Sequence, residues 1–404
     1  MSGRTAPPSL AGAEFLTRPG VRRILALLGR EGEEARVVGG AVRNHLMGLT
    51  IADIDIATTA LPDTVIARAG AAGLHAVPTG YAHGTVTLVA DGVAHEVTTL
   101  REDVHTDGRH AVVCFGRDFA ADALRRDFTI NALSVDAAGI VYDYASGLDD
   151  LAVRRVRFIG DADARICEDY LRILRFFRFT AAYGDGVLDP DGMEAVLRHG
   201  AGLARLSRER VRQETIKLIV APYAVPVIAT MEAHGLLMPV VMRRAHPDRL
   251  ARMAALEREA GNAPDAVRRL MALAVEGEAD IARLREALRL TNAEVRRMEA
   301  ILPARPDLHA HVALYRLGPV PFGDAVLVRA AMRPDWDGWQ DVHALPGAWL
   351  PPPFELTGAD ALALGIARGP AVGEALAGAE RSWIAAGFPA GREAQMQFLR
   401  APKP

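Results

Sequence analysis

Gly39-Gly40-Ala41-Val42-Arg43, followed by Asp53-Ile54-Asp55-Ile56-Ala57-Thr58, decides how the chain is read. The apolar run from Ala35 to Val38 ends in two glycines and a helical segment then begins, so backbone amides and a helix start point at whatever lies above the glycines. That is a place for phosphate. Asp53 and Asp55 alternate with Ile54 and Ile56, and strand periodicity sets both carboxylates on one face and both isoleucines toward a core. Two carboxylates that close repel unless a cation lies between them. Hard oxygen ligands of this kind suit Mg2+, which is typically held by one or two carboxylates together with substrate phosphates. The expectation is a nucleoside triphosphate and metal site. Alone, a Gly-Gly pair is usually a turn and an Asp-x-Asp a solvated edge, so the reading rests on their order and on the motifs downstream in the chain. The stretch has no Gly-x-Gly-x-x-Gly and the chain no Gly-Lys-Ser/Thr, which excludes the dinucleotide fingerprint and the Walker loop.

A chain of 404 residues with 50% hydrophobic content has room for two to four domains with sizeable cores. The start, Met1-Ser2-Gly3-Arg4-Thr5-Ala6-Pro7-Pro8, lacks the basic and apolar parts of a signal peptide, and no later run is apolar and charge-free enough to span a bilayer. The two cysteines, Cys114 and Cys167, argue against a disulfide framework or zinc cluster, fit a reducing cytosol, and are expected to be structural thiols. The net charge of −3 says little about a nucleic-acid partner, because local distribution matters more than the sum. Lys217 and Lys403 are the only lysines, so arginine clusters carry meaning only where their spacing is informative.

An amphipathic helix, with Val21, Ile24, Leu25, Leu27 and Leu28 at helical spacing, precedes the first strand. Leu61-Pro62-Asp63 starts a second helix running to about Gly73. Strands are expected at Leu74 to Pro78, Gly84 to Val89 and Val93 to Leu100, with Asp91-Gly92 as a tight hairpin turn. Glu96 reads equally as a third carboxylate beside Asp53 and Asp55 and as a solvent-facing strand residue. Arg101 to Arg117 reads as a mobile loop near the site. In Arg125-Arg126-Asp127-Phe128-Thr129-Ile130-Asn131-Ala132, adjacent arginines point in different directions, so Arg126 is expected to reach the triphosphate and Arg125 to be a solvated charge. A hairpin turn at Ala138-Gly139 closes this domain near Gly147 to Asp150.

One helix is predicted over Ala164 to Tyr183, burying Ile166, Tyr170, Ile173, Leu174 and Phe177. Its opposite side carries Arg165, Asp169, Arg172, Arg175 and Arg178 as one polar ridge. The plain reading of such a ridge is a helix face laced by Asp-Arg pairs. The functional reading is hydrogen-bond complementarity: an Asp accepts from the exocyclic amine of C or A, an Arg donates to the adjacent ring nitrogen, and U and G present a carbonyl instead. A site built this way rejects the wrong base by up to roughly 10^4 to 10^5. Asp169 and Arg172 are the candidates, with Arg175 and Arg178 nearer the phosphates or bracing the pair. Ser207 is expected to cap the next helix, and Arg210 to brace the base-reading helix.

From Pro222 onward the pattern is helical, at Val225 to His234, Pro247 to Gly261, Asp265 to Glu276, Ala279 to Leu290 and Thr291 to Leu302, without a catalytic constellation. Pro346 to Pro353 reads as a rigid connector. Leu356 to Leu362 then opens a helix, and Gly365 to Pro370 turns into the next.

Taken together, Gly39 to Arg43, Asp53-Ile54-Asp55, Arg125 to Ala132, Glu168-Asp169-Tyr170-Leu171-Arg172-Ile173-Leu174-Arg175 and Ser207-Arg208-Glu209-Arg210 resemble the class II CCA-adding tRNA nucleotidyltransferases, a branch of the polymerase-beta-like superfamily. The segment from Leu356-Thr357-Gly358 to Gly369-Pro370 looks like that family's C-terminal region. The resemblance implies an α+β chain: a nucleotidyltransferase head with a small mixed sheet over 1–150, a helical neck over 151–220, and an all-α body and tail over 221–404 that bind tRNA. It implies that Gly40 and Arg43 contact the nucleotide, Asp53 and Asp55 hold Mg2+ and carry catalysis, and Arg126 binds triphosphate. Asp169 and Arg172 then template the base, and Arg175 and Arg178 complete the pocket. The implied substrates are CTP, ATP and the tRNA 3' end. Asn44 departs from the aspartate usual after the arginine, which touches a supporting contact. The alternatives are a bacterial poly(A) polymerase or an enzyme adding only CC or only A, and, further off, a non-catalytic RNA-binding protein.

Overall fold

The computed structural model describes residues 8–103 and 113–400, which divide into two compact units, Met1–Val240 and Val241–Pro404. In the first unit the strands are β1 (Ala35–Val38), β2 (Asp55–Thr58), β3 (His75–Gly80), β4 (Thr85–Ala90), β5 (Val93–Thr99), β6 (Arg101–Asp103), β7 (Val113–Phe115), β8 (Ser134–Val135) and β9 (Val141–Tyr142). Seven of them form one sheet in the order β3-β4-β5-β2-β1-β8-β9, while β6 and β7 pair separately. The β2–β5 pair is parallel and the other described pairs are antiparallel, so the sheet is mixed. The middle of the proposed mobile loop, 104–112, lies outside the described residues.

All four residues of β1 are buried, as expected of a strand covered on both faces. Arg36 is tolerated there because its guanidinium lies 4.0 Å from the Phe119 ring centroid and 3.6 Å from that of Tyr142, and it donates to Glu34 and the Tyr144 hydroxyl. Alternation holds along β4, where Val86, Leu88 and Ala90 are buried. Asp91 and Gly92 both have positive φ, the backbone that a two-residue hairpin needs.

The helices differ from expectation in three places. The predicted helix over Ala164 to Tyr183 is two helices, Ala162–Glu168 and Leu171–Tyr183, because Asp169 is extended at φ −156° and ψ 105°. Its carboxylate accepts the Leu171 N–H and its carbonyl accepts the Arg172 N–H, so a competing local hydrogen-bond pattern ends one helix and starts the next. Ser207 stands at the cap position of Arg208–Ile219 but its side chain makes no capping bond. Pro346 lies inside the helix Trp339–Ala348, so only the prolines at 351–353 are connector.

Leu171–Tyr183 is anchored by an aromatic cluster: Phe128 lies 4.9 Å from Phe158, 6.3 Å from Phe176 and 5.2 Å from Phe179 between ring centroids. Each such buried ring contributes about 2 to 3 kcal/mol, which fixes the helix against the loop after Arg126. The second unit is all-α, with helices Pro247–Glu259, Ala266–Ala274, Glu278–Leu288 and Asn292–Ile301 near the predicted spans and Pro319–Met332 beyond them. Buried charge ties them together: Glu257 takes Arg268 and Arg269, and Asp324 takes Arg268 and Arg297. No helix among the described residues is long and apolar enough to cross a membrane.

Candidate active site

Sheet register assembles one edge of the site. Val38 pairs with Asp55 across β1 and β2, so the glycine turn after Val38 and the Asp55 carboxylate leave the sheet side by side. Ile56 pairs with Val97, which puts Glu96 next to Asp55; the two hydrophobic partners are buried and the two acids are exposed. Asp53 precedes the strand rather than lying in it, and it too is exposed. The alternation therefore holds for burial of Ile54 and Ile56, but only Asp55 is a strand residue.

Gly39 has φ 65° and ψ −114°, a conformation reserved in practice for glycine, and a Cβ there would stand 3.0 Å from an Arg126 guanidinium nitrogen. The helix Gly40–Leu46 begins at the next residue. Arg43 is buried; its guanidinium donates to Asn131 and to the Asn44 side-chain oxygen, and lies 3.7 Å from the Tyr183 ring centroid. Burial, and then the nearby arginines 178 and 175, hold Arg43 below the ordinary arginine value, while Asp127 opposes them. Asn44 keeps a supporting role by also donating 2.9 Å to the Thr50 carbonyl, which a carboxylate has no N–H to do.

A cleft of about 530 Å3 opens between the sheet edge and Leu171–Tyr183, lined among others by Gly39, Gly40, Arg43, Asp55, Arg126, Asp169, Arg172, Arg175 and Arg178. Of the predicted site residues, Asp53 stands outside that lining. Arg125 and Arg210 are in it, and neither was expected there. Arg125 is no free solvated charge: it shares Asp122 with Arg126, one oxygen each. Asp122 caps nothing visible in sequence terms, but its spacing of three and four from the two arginines is the signal that marks it.

The ridge is held from beneath by buried acids. Arg175 donates 2.7 Å to Asp127, and Asp127 also accepts from the Asn131 amide and the Phe128 N–H. Burial pushes Asp127 up, yet these partners outweigh it and hold the carboxyl below its ordinary value. Glu214, from Arg208–Ile219, accepts from Arg178 and lies 3.7 Å from Arg175. Asp169 and Arg172 line the same cleft, but among the described hydrogen bonds their side chains do not bond each other. Asp169 is held by both terminal nitrogens of Arg210, at 3.2 and 2.6 Å, so Arg210 braces Asp169 itself rather than only its helix. Arg172 is held by Glu168 and by the Arg165 carbonyl at 2.8 Å.

At the sheet edge the Asp55 carboxyl is pushed up, first by desolvation and then by Glu96, with Arg126 opposing and Asp53 adding to the rise. Among the described residues no group of three or more His, Cys, Asp or Glu side chains is disposed to hold a metal ion, so Glu96 does not complete a protein-only cage. A two-carboxylate site that shares its cation with phosphates is consistent with that arrangement.

A profile for the Poly A polymerase head domain matches residues 35–157, and one for a probable RNA- and SrmB-binding site of polymerase A matches 187–242. Mitochondrial CCA tRNA nucleotidyltransferase 1 of Homo sapiens is 32% identical over 411 residues, covering 97% of this chain and 92% of that protein. The CCA-adding enzyme of Geobacillus thermodenitrificans is 40% identical over 215 residues, 53% of this chain and 52% of its own. The crystal structure of the Bacillus stearothermophilus CCA-adding enzyme with CTP superposes with a TM-score of 0.73 at 30% identity, over 91% of this chain and 94% of that one. With likeness of that extent, and with the glycine turn, Asp55 of the sheet edge and the arginine ridge gathered at one cleft, the chain belongs to the CCA-adding tRNA nucleotidyltransferase family.

Proposed function

We propose that this protein completes the 3' end of tRNA, adding C, C and A from CTP and ATP without a nucleic-acid template and releasing pyrophosphate. The observation that carries the reading is the shared cleft, where Asp55 of the sheet edge and the ridge bearing Asp169 face one space. In each step the 3'-hydroxyl oxygen bonds to the α-phosphorus, the bond from that phosphorus to the bridging oxygen breaks, and pyrophosphate leaves. The hydroxyl proton passes to solvent.

Nucleotidyltransferases of this family use divalent metal ions. We assign Mg2+, held by Asp53 and Asp55, because the crowding of Asp55 by two other carboxylates is relieved by a cation. When bound, Mg2+ lowers the hydroxyl pKa and offsets charge on the attacked phosphate and leaving group. The chain's own residues do the rest. Gly40 and Arg43 hold the nucleotide against the sheet edge, and Arg126, with Arg125 beside it, takes the triphosphate. Arg175 and Arg178, fixed from below by Asp127 and Glu214, meet the charge that builds during transfer.

Base choice belongs to Asp169 and Arg172. Asp169 accepts from the exocyclic amine of C or A while Arg210 fixes its plane, and Arg172 donates to the adjacent ring nitrogen. Residues 1–150 act as head, 151–220 as neck, and 221–404 as the body and tail that take the acceptor arm largely by its phosphates. The proposed compartment is the cytoplasm. Purified protein given CTP, ATP and tRNA ending before the CCA is expected to add three nucleotides and stop. Adenosine tails of indefinite length on unrelated RNA instead point to a poly(A) polymerase.

A further inference from the structure

One face of the head sheet carries side chains that neither base reading nor triphosphate binding uses. Ile56 pairs with Val97 and Glu96 with Thr87, so Asp55 of β2, Glu96 of β5 and Thr87 of β4 follow one another as a row across three neighbouring strands on one face. Strands lie about 4.8 Å apart, which sets the Thr87 backbone roughly 10 Å from that of Asp55. The other face of β4 is core, with Val86, Leu88 and Ala90 buried, whereas Glu96 is exposed and Thr87 half-buried. The register of β3 shifts between Val77 and Gly80, and there the exposed Thr79 bonds the Thr87 hydroxyl at 2.8 Å. Two hydroxyls hold two protons and four lone pairs. Their mutual bond uses one of each, which leaves one O–H and three lone pairs for a guest.

In-line transfer decides which side of Asp55 the tRNA end comes from. The bond that forms lies opposite the bond that breaks. The glycine turn and Arg126, which take the triphosphate in the proposed reaction, follow β1, and β1 flanks β2 on the side away from β5. Pyrophosphate therefore leaves on the β1 side, and the attacking 3'-hydroxyl arrives from the β5 side, along the row toward Thr87. The chemistry of the row selects the part of the tRNA that lies on it. The Glu96 carboxylate in its middle repels a phosphate, whereas a ribose is neutral and carries hydroxyls. On that sugar the 2'-hydroxyl stands on the carbon next to the one that bears the attacking oxygen, so both reach the row together.

We propose that Thr87, oriented by Thr79, binds the terminal ribose of the tRNA acceptor and reads its 2'-hydroxyl, the group that distinguishes an RNA end from a DNA end. The inference rests on the proposed nucleotide addition and adds to it a rule of acceptor choice. Base reading on the ridge selects the incoming nucleotide; the threonine pair selects the sugar that receives it. The plain reason for threonine on a half-exposed strand is the fit of its branched side chain to the pleat. Valine fits there as well, so replacing threonine by valine separates the hydroxyl from the strand preference.

The test uses the full chain and two acceptors, tRNA ending before the CCA with either ribose or 2'-deoxyribose at its last nucleotide, both keeping the 3'-hydroxyl. Addition of the first C is followed. The parent protein is expected to favour the ribose end in kcat/KM by about fivefold or more, the worth of one hydrogen bond to the substrate. The 2'-oxygen also acidifies its neighbour, so the deciding quantity is the change of that ratio between proteins. Thr87→Val should lower the ratio at least about threefold by raising KM for the ribose-ended tRNA, with KM for CTP within about twofold of the parent, and Thr87→Ser should restore it. A ratio unchanged in Thr87→Val, or an equal loss on both acceptors, overturns the subsite. If the parent adds nothing to the ribose-ended tRNA, the fault lies with the proposed function, and filter binding of the two tRNAs decides the subsite. Tighter binding of the ribose end by the parent than by Thr87→Val is then expected, and equal preference in the two proteins overturns it.

Discussion

Asp169, Arg175 and Arg178 are held by partners remote in sequence. Asp169 has the spacing of a partner for Arg172 three positions on, yet it bonds Arg210, and Arg172 bonds Glu168. Nothing in local spacing announces a pair 41 residues apart, whereas the glycine turn at 39 and the sheet-edge position of Asp55 were legible because their geometry is local. Two predictions belong at this scale. Asp169→Ala should raise UTP incorporation relative to CTP by at least about tenfold while leaving the pyrophosphate-releasing step in place, because the acceptor for the exocyclic amine is gone. Single-nucleotide incorporation assays with each triphosphate check it, and an unaltered preference removes the templating role. Gly39→Ala should destabilise by about 1 to 3 kcal/mol, because its φ of 65° suits no Cβ and the added carbon meets Arg126. Thermal denaturation reads the loss, and an unchanged midpoint contradicts it.

Among the elements, strands β1, β4 and β5 and the four helices between Pro247 and Ile301 fell near their predicted bounds, since continuous apolar runs, alternation and leucine stripes each have a distinct period. The break at Asp169 was hidden because the apolar stripe continues across it, from Ile166 to Ile173 and Leu174, with no glycine or proline to mark the change. Only the competing side-chain and backbone bonds of Asp169, seen in three dimensions, end the first helix. The acids under the ridge were equally hidden, since Glu214 sits on a different helix from the arginines it holds. Replacing it with alanine leaves Arg178 without its buried carboxylate and should destabilise by about 3 kcal/mol. Urea unfolding of Glu214→Ala against the parent protein measures this, and a difference near zero denies the ridge its support.

For the whole molecule, charge pairing makes a pH prediction with a definite sign. Burial pushes Asp265 and Asp280 up, but the backbone N–H of Arg268 with Arg297, and those of Glu276 and Gly277 with Arg283 and Arg243, hold the two carboxyls below their ordinary value. Groups depressed in the folded state stabilise it above the unfolded carboxylate value of about 4 and lose that contribution as pH falls through the lower folded value. All four tryptophans, at 336, 339, 349 and 383, lie in the second unit, so their fluorescence reports that unit. Its urea midpoint should hold steady from about pH 7 to 5 and drop between about 4 and 2; a flat profile to the acid end contradicts the pairing.

The most direct test of the central claim, that the sheet-edge carboxylates and the arginine ridge form one nucleotidyl-transfer cleft, is to sequence the products of protein, tRNA ending before the CCA, CTP, ATP and Mg2+. The parent protein should yield CCA ends only, and Asp55→Ala should yield none while binding the same tRNA with nearly unchanged affinity. Addition retained by Asp55→Ala, or tails of indefinite length from the parent, would contradict the account.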